Sequence, residues 1–141
     1  MFKKILVGYD GSKGGKAALQ HAASMAREYN AALTALWVCE PLPRHSDLPG
    51  EPEDAAEAGN GYFRDRKQEV AVVAAQYGVS IPCEVRRGHP AKTIVTFATE
   101  GGYDLIIVGH SDHSELWGRL LGDTADRVSD HAQCSVLIVK N

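Results

Sequence analysis

Residues 103–141 read YDLIIVGHSDHSELWGRLLGDTADRVSDHAQCSVLIVKN, and this stretch decides the fold. It opens on Leu105-Ile106-Ile107-Val108, a short run rich in β-branched residues. A run that is apolar at every position suits a strand buried on both faces. Gly109 ends it, and a polar loop follows with Gly118 and Gly122 at intervals. Asp123 and Thr124 stand where a helix should begin, because Ala125, Val128 and Ala132 then recur at helical spacing. Cys134 to Val139 closes the stretch as a second buried strand. Strand, glycine-bearing loop and helix N-terminus together aim free backbone N–H groups above the strand's carboxyl end. That is a ready site for an anion, phosphate above all.

The same alternation extends back to the first residue. Ile5-Leu6-Val7-Gly8-Tyr9 is a short apolar strand, and Asp10-Gly11-Ser12 turns the chain with Ser12 as N-cap. The helix after it carries Ala18, Leu19, Ala22, Met25, Ala26 and Tyr29 on one face. Gly14 and Gly15 weaken its first turn by about 1 kcal/mol each relative to alanine, so a close approach of backbone is a reason to have them. Ala32 to Val38 is the second strand. The connection from Glu40 to Gly61 is punctuated by Pro41, Pro43, Pro49, Pro52 and Asn60-Gly61. It is acidic and weakly apolar, and a mobile segment or lid is expected there. Helical order is expected to resume near Tyr62, with Phe63, Val70, Ala74 and Tyr77 on one face and Gly78 as C-cap. Ser80 to Arg87 alternates as an edge strand should, and Pro90 opens a helix that Gly101-Gly102 ends.

Strands alternating with helices imply right-handed crossovers and a parallel sheet covered on both sides. The expectation is one doubly wound α/β domain over residues 1–141, with a five-stranded sheet in the order 3-2-1-4-5. The two most apolar strands, the first and the fourth, should be central neighbours. Ligands in such sheets bind beyond the carboxyl ends of the strands, where strand order reverses. The site should therefore gather Gly8, Tyr9 and Asp10 from one strand and Val108 and Gly109 from the other. Asp10 could accept from sugar hydroxyls there or cap the turn before the first helix.

At 141 residues the chain is about one domain long, and its formal charge of −3 gives no electrostatic reason to expect nucleic acid. No apolar run approaches the ~20 residues of a membrane span. Cys39, Cys83 and Cys134 are odd in number and without paired spacing, which fits a reducing cytoplasm. The segment Gly8 to Ala17 has the composition of a P-loop but fails as one. Asp10 stands where a glycine is needed, and Ala17 replaces the magnesium-holding Ser/Thr. His110, Asp112 and His113, with Asp123, are weak metal candidates: structural and catalytic sites need three or four converging ligands. There is no G-x-S-x-G elbow and no cysteine in a basic setting. No catalytic residue is assigned, and slow ATP hydrolysis is the most that is expected.

The opening KKILVGYDGS, the LWV strand, the long middle connection and DLIIVGHS…WGRLLGDTADRV…CSVLIVK together resemble the universal stress proteins over essentially the whole chain. Nucleotide-binding members of that family carry G-x2-G-x9-G-[ST]. Gly109 and Gly122 lie at the right separation, whereas Asp112 replaces the second glycine and Asp123 the Ser/Thr, with Thr124 next. The resemblance implies that Gly8, Asp10 and Val38 match positions holding adenine and ribose. Val108, Gly109, Asp112, Gly122, Asp123 and Thr124 match the phosphate cradle. It also implies a homodimer through the last strand. Two carboxylates at the phosphate end should favour AMP over metal-free ATP, with Mg²⁺ or Mn²⁺ able to bridge. The alternative function is a nucleotide-free dimer acting through protein contacts.

Overall fold

A computed structural model describes the backbone of residues 1–39, 51–110 and 123–140, and their side chains except those of 51–60 and 123. The elements run β1 (Lys4–Gly8), α1 (Lys13–Tyr29), β2 (Ala32–Cys39), α2 (Glu51–Tyr77), β3 (Cys83–Arg87), α3 (Pro90–Gly101), β4 (Leu105–Gly109), α4 (Asp123–His131) and β5 (Ser135–Val139). The strands pair as one parallel sheet in the order β3-β2-β1-β4-β5. The apolar strands β1 and β4 are neighbours at its centre, with Val7 opposite Ile107.

Side-chain alternation along β1 splits the core in two. Ile5, Val7 and Tyr9 face one side, where Leu19 and Ala22 of α1 and Val70 and Val73 of α2 cover them. Leu6 faces the other, against Ile94 and Ala98 of α3, Ile106 of β4 and Val128 of α4. Ile5, Leu6, Leu19, Leu36, Ile106 and Ile107 are fully buried, each worth about 1.5–3 kcal/mol in apolar burial. No helix among the described residues is long and apolar enough to cross a membrane.

Local chemistry sets the helix ends. Ser12 caps α1, its Oγ accepting from the Gly15 N–H at 3.0 Å. Pro90 opens α3, and Gly102 closes it in the left-handed region with φ 70°.

Three expectations need correction. Helical order begins at Glu51, well before Tyr62, so the second half of the connection from Glu40 to Gly61 is helix and not irregular loop. Residues 40–50 lie outside the described residues. The reason is local: Pro52 is tolerated in a first turn, Glu51, Glu53 and Asp54 suit the helix dipole's positive end, and Ala55, Ala56 and Ala58 favour helix. Together they outweigh the penalty of Gly59 and Gly61 inside the helix. The third strand is shorter than expected and starts at Cys83, because Pro82 has no N–H to give the ladder; its carbonyl still accepts from the Ala35 N–H at 2.9 Å. Tyr29 is 42% exposed, edge-on to Phe2, and Ala23 takes a buried place on α1 instead.

Candidate functional site

At the carboxyl ends of β1, β2 and β4, where the strand order reverses, the chain encloses a cavity of about 570 Å³. Its volume falls within the ~300–1,000 Å³ usual for small-molecule sites. Gly8 and Asp10 from the end of β1, Leu36 and Val38 from β2, and Val108 and Gly109 from β4 form its floor and walls. Pro90 and Ile94 of α3 close the apolar side, and Ser12, Gly15, His110 and Thr124 stand at the polar side. Tyr9 also lines it. The structure thus brings Gly8, Tyr9, Asp10, Val38, Val108, Gly109 and Thr124 together around one space. Of the other residues named from the sequence, Asp112 and Gly122 lie outside the described residues, as does the side chain of Asp123.

Sequence reasoning missed Ser12, Gly15, Leu36, Pro90, Ile94 and His110. Ser12 was legible only as a cap, and His110 only as a metal candidate. Pro90 and Ile94 reach the site because α3 packs on the sheet face that carries Leu6, Leu36 and Val108; a Cβ on Gly8 would sit 3.3 Å from Ile94 Cδ1 and 3.5 Å from Val108 Cγ1. That proximity is tertiary and leaves no local signal.

The turn between β1 and α1 is tightly organised. Asp10 Oδ1 accepts from the Ser12 N–H at 2.9 Å and from the Ser12 hydroxyl at 2.6 Å, while Ser12 Oγ accepts from Gly15. The capping role of Asp10 is therefore filled by one carboxylate oxygen. Gly14 and Gly15 are buried in the first turn of α1; Gly14 admits the chain's own backbone, and Gly15 admits the Asp10 carboxylate, whose Oδ1 lies 2.7 Å from where a Cβ would sit. A Cβ on Gly14 would overlap the His110 carbonyl, and one on Gly109 would overlap the Gly14 carbonyl. The first turn of α1 is in this way seated against the end of β4, which closes that wall of the cavity.

Tyr9 shares the parity of Ile5 and Val7, so its side chain packs in the α1–α2 cluster. It is 4% exposed, and its hydroxyl donates to Glu69 Oε1 at 2.5 Å. Burial pushes its phenol well above the ordinary tyrosine value, and the bond to Glu69 and that carboxylate's charge push the same way. A folded-state value raised above the unfolded one means stability that is complete below about pH 10 and is lost as pH rises through the folded value. Wild-type stability is therefore expected to decline above about pH 10, and Tyr9→Phe to decline less steeply. The variant itself should lose about 1.5–3 kcal/mol at neutral pH, the value of a hydrogen bond to a charged acceptor. Urea midpoints of both proteins at pH 8 and pH 11 check both statements.

Among the described residues that line the cavity there is no lysine or arginine. Among the described residues no three His, Cys, Asp or Glu side chains converge as metal ligands; Asp112 and His113 fall outside that set. Burial pushes the Cys83 and Cys134 thiols up, away from nucleophilic thiolate. A further groove of about 440 Å³ lies between α3 and α4, lined by His89, Lys92, Arg127 and His131 among others, away from the strand ends.

Comparison with known proteins agrees with this architecture. The sequence matches the universal stress protein family over residues 1–140. It is 35% identical to a universal stress protein of Methanocaldococcus jannaschii, over 99% of this chain and 83% of that protein. The fold is similar to that of universal stress protein UspA from Lactobacillus plantarum, with a TM-score of 0.75 and 30% identity over 98% of this chain and 97% of that one. It is also similar to a universal stress family protein from Arabidopsis thaliana solved with AMP bound, with a TM-score of 0.73 and 18% identity over 99% of this chain and 92% of that one. With the sheet order and a match along nearly the whole sequence in agreement, the chain belongs to the universal stress protein family.

Proposed function

We propose that this chain is a cytoplasmic adenine-nucleotide-binding stress protein that takes AMP in preference to metal-free ATP. The observation that carries this is the cavity at the strand-order reversal. It sets apolar Leu36, Val38, Ile94 and Val108 against Asp10 on one side, with Gly109 and the start of α4 on the other. An apolar wall suits an adenine ring, Asp10 suits ribose hydroxyls, and free backbone N–H groups at a helix start suit a phosphate. With no lysine or arginine in the described lining, backbone dipoles are the main attraction for phosphate, and they suit one phosphate better than three. The Arabidopsis protein speaks for what the scaffold can hold; at its low identity, the ligand assigned to this chain rests on the chain's own cavity. Free cysteines at positions 39, 83 and 134 fit a reducing compartment.

Isothermal titration with AMP, ATP and ATP plus Mg²⁺ tests the proposal. AMP should bind, metal-free ATP should bind more weakly, and Val38→Trp should abolish both by filling the wall. Absence of binding by any adenine compound would overturn it.

A second function is favoured by a separate feature and is compatible with the first. β5 pairs with β4 on one side and forms the outer edge of the sheet, and Val136, Leu137 and Ile138 on it are only partly buried. An uncharged apolar edge invites pairing with another copy. A homodimer through β5 should be seen by light scattering at micromolar concentration. Val136→Lys should shift the wild-type dimer to monomer, with circular dichroism verifying that the variant remains folded.

A further inference from the structure

The geometry points to Tyr62 and Arg66 of α2 as positioning residues for the cavity: they hold the Asp10–Ser12 turn and so couple ligand binding to the docking of α2. This rests on the proposed nucleotide site and adds its control from outside the cavity. Tyr62, Arg66 and Glu69 stand at i, i+4 and i+7, one stripe along α2. Each engages the β1–α1 turn at a different point. The Tyr62 hydroxyl donates to the Asp10 carbonyl. Arg66 packs over Gly11, where a Cβ would lie 2.5 Å from Nη1 and 3.0 Å from Cδ. Glu69 accepts from the Tyr9 hydroxyl at 2.5 Å.

The three are also tied to one another and to the sheet. The Arg66 guanidinium lies 4.2 Å from the Tyr62 ring centre and bonds Glu69 Oε2 through Nη2 at 2.8 Å. Tyr62 packs on Trp37 with ring centres 4.7 Å apart, and Phe63 stacks on the same indole at 6.1 Å. Trp37 immediately precedes Val38, a wall of the cavity. The stripe is thus fixed at one end by an aromatic stack and at the other by a charge-assisted bond, and it spans the turn that presents Asp10.

Gly11 sits at φ 86°, a conformation that side chains rarely adopt, which leaves its backbone bare for Arg66 to cover. Docking of the body of α2 has its own source in Val70 and Val73. The distinct effect of the Tyr62–Arg66 end falls on the turn. A ligand bonded to Asp10 and the first turn of α1 would stiffen the same segment from inside the cavity. Two restraints on one segment strengthen each other, and by linkage the effect runs both ways.

Tyr62→Phe tests this with little disturbance, because it keeps both ring contacts and removes only the hydroxyl, which meets the Asp10 carbonyl and Arg66. In the ligand-free protein, amide exchange at Ser12 and Gly15 should quicken about fivefold, the equivalent of one neutral hydrogen bond. Exchange from Val70 to Tyr77 should be unchanged. The Kd for AMP should rise by a similar factor, about fivefold, and AMP should slow exchange at Arg66 to Val70 in the wild type but not in the variant. Arg66→Lys, which keeps the charge and loses the planar face, should act in the same direction. Wild-type exchange at Ser12 and Gly15 in both variants would overturn the inference, as would an unchanged AMP Kd alongside quickened exchange. If the wild type binds no AMP, the nucleotide proposal fails separately, and the ligand-free exchange still decides whether Tyr62 and Arg66 hold the turn.

Discussion

Gly109→Ala is expected to destabilise the chain by about 3 kcal/mol or more, beyond the usual range for a surface substitution. For a domain of this size that corresponds to a fall in Tm of about 10 °C. The added Cβ would overlap the carbonyl of Gly14 and lie 2.9 Å from the Gly15 nitrogen. These are backbone atoms of the first turn of α1, which Ser12 caps and which Ala18, Leu19 and Ala22 anchor in the core. No side chain can rotate aside, so either α1 moves off β4 or the end of β4 bends. Gly14→Ala meets the same obstacle from the other side, against the His110 carbonyl. Two other glycines separate this contact from backbone propensity. Gly102 has φ 70° and open space around it, so Gly102→Ala should lose about 1 kcal/mol. Gly61 lies inside α2, where an added Cβ would point into open space, so Gly61→Ala should gain up to about 1 kcal/mol. Guanidinium denaturation of the variants checks the order. A Gly109→Ala loss no larger than that of Gly102→Ala would refute the close approach.

Those glycines mark how far the sequence could be read. Gly14 and Gly15 at the start of a helix signal that backbone comes near, but not whose; for Gly14 the partners prove to be Gly109 and His110, more than 90 residues along the chain. The sheet order was legible because burial on both faces leaves a plain chemical trace. Leu105 to Val108 and Ile5 to Val7 are apolar at every position, and only central strands can bury that many. The early start of α2 was obscured because Asn60-Gly61 and Pro52 are turn residues in isolation, whereas the alanines between them act only in sum. The destination of the Tyr9 side chain was legible from parity with Ile5 and Val7, although the residue also lines the cavity, as its place beside the switch point suggests. The stripe at Tyr62, Arg66 and Glu69 gave no local signal beyond a charged helix face, since its meaning depends on the turn it meets.

The largest effect on binding is expected from Asp112→Gly with Asp123→Ser: ATP affinity in metal-free buffer should rise tenfold or more. Asp112 lies outside the described residues, as does the Asp123 side chain, and their weight here comes from sequence position. Both fall between Gly109 and Thr124, two residues that line the polar part of the cavity. A carboxylate about 4 Å from a phosphate charge is repelled by roughly 4 kcal/mol at an effective dielectric of 20. Half of that exceeds a tenfold change in affinity. The repulsion grows with the number of phosphates, so AMP should gain much less than ATP from the double variant. It should also be relieved by a bridging divalent ion, so Mg²⁺ or Mn²⁺ should narrow the gap between AMP and ATP in the wild type and have less effect in the variant. The backbone attraction is common to both proteins, because the start of α4 keeps its N–H groups and positive dipole end whichever side chain precedes Thr124. Titration of both proteins with AMP and ATP, each with and without Mg²⁺, measures all of this. Equal metal-free ATP affinity in the two proteins would show that charge at these positions does not reach the phosphates.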